Sequence, residues 1–301
     1  MGAQAVSTAF ATVTALAVLA GAAKAQSFPA AEPAAKDKGP KTLLEAILGS
    51  NSGEKSKDQL REDDRLDPDR PHFPEASTTV GLGRTVLESG YTFTKKGASF
   101  SSHSAPEALL RVGMLAEWFE FRIGQNFVHE QQTVAGATTI ASGAQDLYLG
   151  VKLALTEQKV FLPRIALIPQ MTAPTGGSAV TAGRVLPGLN VDCSWDVIRD
   201  FFSIELLVAN NLVRDDMRSS HFELATGLTG AFQLTKKLEA FIEWDAFYPT
   251  GGTNSIGPRH YAVGGLVYFI TPNLAVDARA GVGLNDRSND FLAGVGFAVR
   301  Y

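Results

Sequence analysis

The sequence has 301 residues, of which 45% are hydrophobic and 19% are charged, and its formal net charge at pH 7 is −4. These values exclude a disordered chain, a collagen-like repeat and a strongly basic nucleic-acid-binding protein. The single cysteine, Cys193, excludes an internal disulfide framework and a cysteine-rich metal site.

The chain begins with an apolar stretch at residues 9–23, which runs into Ala-Lys-Ala at 23–25. The stretch is shorter than the roughly 20 residues that a membrane-spanning helix needs. The small residues that close it are typical of a signal-peptide cleavage site, so we predict a signal peptide at residues 1–25. Residues 1–10 contain no Lys or Arg, which leaves the true translation start open. An apolar core helix is the alternative.

Residues 26–75 are rich in Pro, Lys, Asp and Glu and carry a dense run of charges at 54–70. Such a composition buries too little apolar surface to fold alone, so we predict a disordered linker in the periplasm. A short helix is predicted near residues 42–49, with Thr42 as N-cap and Gly49 as stop. This helix is interpreted either as a transient turn in a tether or as a docking or plugging segment.

From residue 76 to the end, apolar and polar residues alternate with a period of two, which predicts strands. In one segment Phe119, Phe121 and Ile123 share a face, while Glu120 and Arg122 between them share the other. Most segments are about ten residues long, the length of a tilted strand that crosses a bilayer. Twelve strands are predicted, approximately at 84–94, 106–114, 119–128, 145–155, 162–173, 188–197, 201–209, 221–233, 238–248, 260–270, 274–284 and 290–301.

The connections between these strands alternate in length. Tight links are predicted at 115–118, 156–161, 198–200, 234–237 and 271–273, and mostly longer ones near 95–105, 129–144, 174–187, 210–220, 249–259 and 285–289. Short periplasmic turns and longer external loops are typical of outer-membrane barrels. An even number of strands places both ends of the barrel domain, residues 76–301, on the periplasmic side. The sequence therefore predicts an all-β, transmembrane, antiparallel up-and-down barrel of about twelve strands.

The two faces of the predicted strands differ in chemistry. The apolar face ends in aromatic residues at both rims, as bilayer interfaces favour: Phe119, Trp195, Phe202, Phe269 and Tyr301 near the short turns, and Phe93, Phe127, Tyr248, Tyr261 and Phe291 near the loops. The other face carries charges, which cannot form a dry core and must face water or pair across a polar lumen. Six of these charged residues are predicted to line the lumen and to set its selectivity: Glu88, Arg111, Arg122, Glu243, Asp277 and Arg279. Salt bridges that only stiffen the wall are the alternative role.

The last predicted strand alternates from Phe291 to the terminal Tyr301. An aromatic carboxy-terminal residue on such a strand resembles the signature that the barrel-assembly machinery reads. We therefore expect outer-membrane lipid and this machinery as partners, and no nucleic acid.

Five stretches resemble a known family: Asp-Arg-Pro-His-Phe-Pro-Glu at 69–75, Val-Leu-Glu-Ser-Gly-Tyr-Thr-Phe at 86–93, Leu-Leu-Arg-Val-Gly at 109–113, Pro-Gly-Leu-Asn at 187–190 and Ala-Gly-Val-Gly-Leu-Asn-Asp at 280–286. They are similar to the planctomycete-type branch of outer-membrane transporters, which is grouped with proteins of the meta-pathway of phenol degradation. The resemblance covers residues 69–301 and implies an outer-membrane β-barrel that passes small aromatic or hydrophobic molecules. The family has Asp and Thr where His72 and Pro74 stand.

The residues therefore predict a passive outer-membrane channel for small solutes, without catalytic residues, metal or cofactor. One alternative is a closed structural or adhesive barrel that binds a partner through its loops or its arm. Another is an outer-membrane hydrolase, for which the candidate residues near the outer rim are His129, His221, His260, Ser101, Ser219 and Ser220. Calcium sites at Asp215 and Asp216, or at Asp286 and Asp290, lack the 6 to 8 oxygen ligands that calcium takes.

Overall fold

The computed structural model describes residues 39–49, 65–214, 220–250 and 257–301. The predicted signal peptide, residues 26–38 and 50–64 of the predicted linker, and the loop residues Asp215, Asp216 and Ser219 lie outside the described residues. Within the described ranges, no helix combines the length and the hydropathy of a membrane-spanning helix.

One short helix precedes a series of thirteen strands in the described part of the chain. The helix α1 spans Leu43–Leu48, and the hydroxyl of its N-cap, Thr42, accepts a hydrogen bond from the Glu45 N–H at 3.2 Å. The strands are β1 Thr85–Lys96, β2 Phe100–Gly113, β3 Phe119–Val134, β4 Ala137–Ala144, β5 Leu147–Thr156, β6 Arg164–Ala173, β7 Leu186–Ile198, β8 Phe202–Arg214, β9 Ser220–Gln233, β10 Leu238–Thr250, β11 Arg259–Thr271, β12 Leu274–Gly283 and β13 Phe291–Arg300.

Twelve of these strands close into a ring of antiparallel neighbours. The first and last strands, β1 and β13, pair from Val86 with Arg300 to Lys95 with Phe291, so the sheet has no free edge at this seam. Strand β3 pairs with β2 and β5 within the ring, and it also carries β4 as a hairpin beyond the ring. The predicted all-β barrel of about twelve strands is confirmed.

Two predicted loops turn out to be regular structure. The loop expected at 129–144 is the end of β3, a turn at Ala135 and Gly136, and strand β4. The loop expected at 95–105 is largely the end of β1 and the start of β2, joined by residues 97–99. Both predictions were wrong because these segments continue the backbone ladder of their neighbours without a strong apolar and polar alternation.

The barrel has its apolar side chains outside and its charged side chains inside. On β10 the outward Ile242 is 66% exposed, whereas the neighbouring Glu243 is 5% exposed. Large outward apolar residues are also exposed on other strands, among them Leu189, Val208, Phe222, Leu228, Leu266, Val276, Val295 and Phe297. This inversion of the usual order fits a barrel that is surrounded by lipid and has a polar lumen.

Two of the aromatic residues predicted at the outer rims lie on the inner face instead. Phe269 packs with buried apolar residues at the short-turn end of the lumen, and Tyr261 packs with Phe241 and Val263. Both alternate with outward neighbours, Ile270 and Tyr268 for Phe269. The assignment was wrong because an aromatic residue near a strand end fits either face of the pattern.

Candidate functional site

The lumen contains a segment of the chain itself. Residues 65–80, here named the inner segment, enter at the rim of the short turns, where the Leu66 N–H donates to the Pro272 carbonyl at 2.8 Å. The segment leaves at the same rim, where the Val80 N–H donates to the Glu120 carboxylate at 2.9 Å. In between it contacts inward side chains of strands on every side of the ring.

The composition of residues 65–75 predicts a linker outside the barrel, but the structure places them inside it. The reason is that the partners of this segment come from strands far away in sequence. Asp69, for example, contacts side chains of β2, β3 and β5. No local pattern in residues 65–75 carries that information.

Asp69 is the centre of the polar contacts near the short-turn rim. Its Oδ1 lies 3.2 Å from Arg111 Nη1 and 2.8 Å from Lys152 Nζ, and its Oδ2 lies 2.8 Å from Arg122 Nη2. All four side chains are buried. Burial alone would raise the pKa of Asp69, but the three cations more than offset it and hold that pKa well below its usual range.

Two strand carboxylates complete this arrangement. Glu88 accepts the backbone N–H groups of Asp69 at 3.0 Å and Arg70 at 2.9 Å, and Glu120 accepts from Arg111 Nε at 2.8 Å. We call the set the ion cluster; its members are Asp69, Glu88, Arg111, Glu120, Arg122 and Lys152. Because buried charges are tolerated only when they are paired and hydrogen-bonded, the ion cluster fixes the position of the inner segment.

Further along the inner segment, Arg70 lies against the wall between β1 and β13. A Cβ atom on Gly90 would lie 2.3 Å from Arg70 Cζ, and a Cβ on Gly296 would lie 2.4 Å from Arg70 Nε. The two glycines therefore leave the space that the guanidinium occupies. Arg70 Nη1 bonds Glu107 at 2.8 Å and Nε bonds Asp277 at 3.4 Å.

The middle of the inner segment, residues 71–74, contacts the opposite side of the wall. His72 Nδ1 lies 3.0 Å from Glu205 Oε2, and the His72 ring meets the Phe241 ring edge-on with centroids 4.3 Å apart. Burial lowers the pKa of His72, but Glu205, with smaller contributions from Glu243 and Glu239, raises it to about 9. The imidazole is therefore charged at neutral pH and forms an ion pair with Glu205.

Phe73 follows with one polar and one apolar contact. Its backbone N–H donates to Glu243 Oε2 at 3.0 Å, and the same carboxylate oxygen accepts from Thr229 Oγ1 at 2.7 Å. Its ring is half-buried in what we call the Phe73 pocket, formed by Leu207, Ala209, Ala225, Gly227 and Phe247.

The return part of the inner segment again meets β3, β5 and β7. The Glu75 N–H donates to Asp192 at 3.0 Å, and the Glu75 carboxylate lies 3.0 Å from Arg122 Nη2. Lys152 Nζ donates to the Ala76 carbonyl at 2.6 Å. The hydroxyls of Ser77 and Ser194 lie 2.5 Å apart. The inner segment is thus bonded to the wall along its whole length.

All six residues that the sequence singles out for the lumen have side chains on the inner face, and all six contact the inner segment. Arg111 also donates to the Asp67 carbonyl at 3.0 Å, and Arg279 donates to the Pro71 carbonyl at 2.7 Å. Their effect on selectivity stays a prediction. Sequence reasoning missed Asp69, Arg70, His72 and Phe73, although the apolar residues Pro71, Phe73 and Pro74 interrupt an otherwise charged run.

The half of the lumen toward the long loops has a different polar lining. Gln170 Nε2 donates to Asn190 Oδ1 and to Asn211 Oδ1, each at 3.0 Å. On the other side, Arg259 and Glu223 form an ion pair. Side-chain amides and a charge pair give this part of the lumen a water-compatible surface.

The three histidines considered for a hydrolase, all of them among the described residues, do not lie together. His221 is buried on the inner face of β9, whereas His260 packs against the rings of Trp244 and Tyr248 on the outer face, at centroid distances of 5.8 and 5.6 Å. His129 is exposed on β3. Among the described residues, no group of three or more His, Cys, Asp or Glu side chains is arranged to hold a metal ion.

The closed ring, the apolar outer face and the charged inner face define a β-barrel of the outer-membrane type. The chain belongs to the family described as "Putative MetA-pathway of phenol degradation", whose model matches residues 68–301 and so includes most of the inner segment. This confirms the phenol-degradation grouping that the sequence resembles. Comparison with curated proteins gives no match.

One solved structure of an outer-membrane protein shares the fold. An outer-membrane channel from Pseudomonas putida F1 is similar with a TM-score of 0.63 and 13% identity, over 76% of this chain and 99% of that chain. The transport unit of the autotransporter AIDA-I from Escherichia coli gives 0.46 and 9%, over 72% and 89%. The KdgM porin gives 0.45 and 11%, over 71% and 98%. The last two scores are too low to add to the fold assignment.

Proposed function

We propose that this chain is an outer-membrane channel through which small solutes pass by passive diffusion. The observation that carries the proposal is the inversion of the two faces: large apolar side chains cover the outside, while buried charges and amides line the inside. Lipid solvates the first surface and water the second. The name of the Pseudomonas putida structure, an outer-membrane channel, agrees with this function.

The solutes are proposed to include small aromatic or hydrophobic molecules. The support is the family description, which refers to phenol degradation. Passage follows the concentration gradient, since the proposed route is a passage through the lumen of a barrel.

The proposed orientation places the short-turn rim in the periplasm. Outer-membrane barrels have short periplasmic turns and longer external loops. The inner segment enters and leaves at the short-turn rim. Residue 65 then lies at the periplasmic side, which agrees with the predicted periplasmic position of the N-terminal arm. The terminal strand β13, which closes the ring against β1, is proposed to be the element that the barrel-assembly machinery recognises.

The six predicted lumen residues are proposed to set the bore and the ion preference. The inner segment fills much of the lumen toward the short turns, so solutes must pass beside it or move it. Each of the six touches this segment and therefore acts on the passage both directly, through its charge, and by holding the segment in place.

Planar-bilayer recordings of the purified full chain test the proposal. Arg122→Glu and Glu243→Lys change the lumen charge by two units in opposite directions, so we expect ion preference to shift in opposite directions. Asp286→Lys changes the charge of an exposed loop residue and is the matched control, with an expected shift that is much smaller. A chain that gives no current, or whose ion preference is the same in all four proteins, contradicts the proposal.

A closed barrel is the second candidate, and the inner segment is the observation that favours it. If the ion cluster never opens, the barrel acts as an anchor that binds a partner through its loops or its arm. Solute flux into liposomes separates the two: flux of a small sugar or of phenol supports the channel, while a tight barrier supports the anchor.

A further inference from the structure

The Phe73 pocket is a ring-shaped space in the barrel wall that the chain fills with its own phenyl group. The ring of Phe73 packs on Leu207, Ala209 and Ala225, and the Phe247 ring lies 5.0 Å away between centroids, tilted by 50°. We propose that this pocket is a binding site for a monocyclic aromatic solute, which takes the place of the Phe73 side chain. The proposal rests on the proposed function as a channel, whose solute class and binding position it specifies.

The shape of the pocket fits a flat ring. A Cβ atom on Gly227 would lie 2.9 Å from Phe73 Cδ1 and 3.0 Å from atoms of Pro74, so the glycine backbone forms the floor on which the ring rests. Phe247 in turn meets Tyr261 nearly at right angles, with centroids 6.0 Å apart. Aromatic pairs prefer such offset and edge-on arrangements, with centroids about 4.5–7 Å apart, over a face-to-face sandwich, and ring electrostatics stabilises them beyond the burial of apolar area. The pocket therefore favours an aromatic ring over a saturated ring of equal size.

A hydrogen-bond acceptor lies beside the pocket. Glu243 Oε2 accepts a hydrogen bond from the backbone N–H of Phe73, the residue whose ring fills the pocket. This oxygen therefore lies close to the pocket. When Phe73 moves out, the oxygen keeps Thr229 but loses one donor. The neighbouring Asp245 is buried, and its Oδ1 has no hydrogen-bond partner. A hydroxyl or amino group on the aromatic solute can donate to these carboxylates, which makes a phenol-like molecule the preferred ligand class.

Exchange is local because the contacts of the Phe73 side chain are separate from the ion cluster. The Phe73 ring is partly exposed and packs on β8, β9 and β10, whereas Asp69 and Ala76, which flank the middle of the inner segment, are buried and bonded to Lys152. Phe73 can therefore move while the ion cluster stays formed. An aromatic solute in the Phe73 pocket competes with the Phe73 ring for the same surface. Binding of the solute therefore shifts the equilibrium toward the conformation in which Phe73 has left the pocket.

The binding experiment uses the full chain in detergent with 4-fluorophenol as the probe and fluorine NMR as the readout. We expect saturable binding to the wild type and at least five-fold tighter binding to Phe73→Ala, which removes the internal competitor. Gly227→Val fills the floor of the pocket and is expected to weaken binding at least five-fold. The matched control is Gly230→Val on the same strand, whose new side chain points outward near Phe202 and is expected to change binding less than two-fold. 4-Fluorocyclohexanol is expected to bind more weakly than 4-fluorophenol.

Hydrogen exchange gives the second readout. Saturating 4-fluorophenol is expected to increase exchange at the amides of His72 and Phe73 while leaving those of Asp69 and Ala76 unchanged, even if Gly227→Val fails to fold. Absence of saturable binding in both wild type and Phe73→Ala, equal binding by the two glycine variants, or no change of exchange at His72 and Phe73 overturns the proposal. A failure of the proposed channel function is distinguishable from a failure of this proposal, because it would appear as absence of current while 4-fluorophenol still binds.

Discussion

The two sides of the barrel wall hold the inner segment by different physical means. Strands β1, β2, β3 and β5 present buried cations and carboxylates to Asp69, with each charge paired. Strands β8, β9 and β10 present an apolar pocket to Phe73, together with the ion pair between Glu205 and His72. The first side resists any loss of a partner, because an unpaired buried charge is costly. The second side makes a weaker and more exchangeable contact, because a half-buried ring loses little when another ring replaces it.

The largest effect is expected at the centre of the ion cluster. Asp69→Asn removes the charge that three buried cations share, and breaking a buried pair in this way costs about 3–5 kcal/mol. Hydrogen exchange of the amides in residues 65–80 should become about 100-fold faster or more, since about 1.4 kcal/mol is a factor of ten.

Asp67→Asn is the control for this prediction. Asp67 lies on the same segment, but its side chain bonds Thr78 at an exposed position. If both variants speed exchange equally, the ion cluster does not fix the segment.

The next effect is the pH dependence of the His72 and Glu205 pair. The pKa of His72 is raised to about 9 from an ordinary value near 6.5, so the pair stabilises the docked segment fully below pH 6.5 and loses that contribution as the pH rises through about 9. A hydrogen bond to a charged group contributes about 1.5–3 kcal/mol. Exchange of the His72 and Phe73 amides, corrected for its intrinsic pH dependence, should accelerate between pH 7 and pH 10.

His72→Gln serves as the reference for this titration. It should show the faster exchange already at pH 7 and little further acceleration up to pH 10. A wild type whose corrected exchange is flat over this range would show that the imidazole is not paired in its charged form.

A smaller effect is expected at the Phe73 pocket. Phe73→Ala removes a ring that is largely but not fully buried, and since full burial contributes about 1.5–3 kcal/mol, the expected loss is about 1–2 kcal/mol. Exchange of the amides at positions 72 and 73 should rise about 5- to 30-fold, whereas Phe73→Leu, which retains apolar contact, should change it less. Equal effects of Phe73→Ala and Asp69→Asn would remove the difference between the two sides of the wall.

The smallest effect is expected at the short-turn rim. Arg164 pairs with Asp196 where both side chains are partly exposed, and exposed pairs contribute about 0.2–1 kcal/mol. Arg164→Gln should therefore leave the exchange of residues 65–80 unchanged and lower the thermal unfolding midpoint in detergent only slightly. A loss as large as that of Asp69→Asn would show that burial does not govern the strength of these pairs.

The sequence alone predicts the barrel, but it does not predict that a segment of the chain occupies the lumen. The alternation of residues such as Ile242 and Glu243 is local, and it indicates both the strand and the chemistry of its two faces. The loops expected at 95–105 and 129–144 are largely strands in the structure, because backbone pairing with a neighbouring strand does not require an apolar face. The inward positions of Tyr261 and Phe269 were missed because aromatic residues near strand ends suit either a lipid interface or a lumen.

What the sequence determined about this protein is therefore its strand order, its membrane-compatible outer surface and the charged character of its interior, since each follows from a repeat of two residues. Only the tertiary structure decided that residues 65–80 lie inside the ring. Their partners, among them Arg122, Glu205 and Asp277, come from strands up to about two hundred residues away and converge only when the ring closes. A segment stabilised by such distant contacts has no periodicity of its own to reveal where it lies.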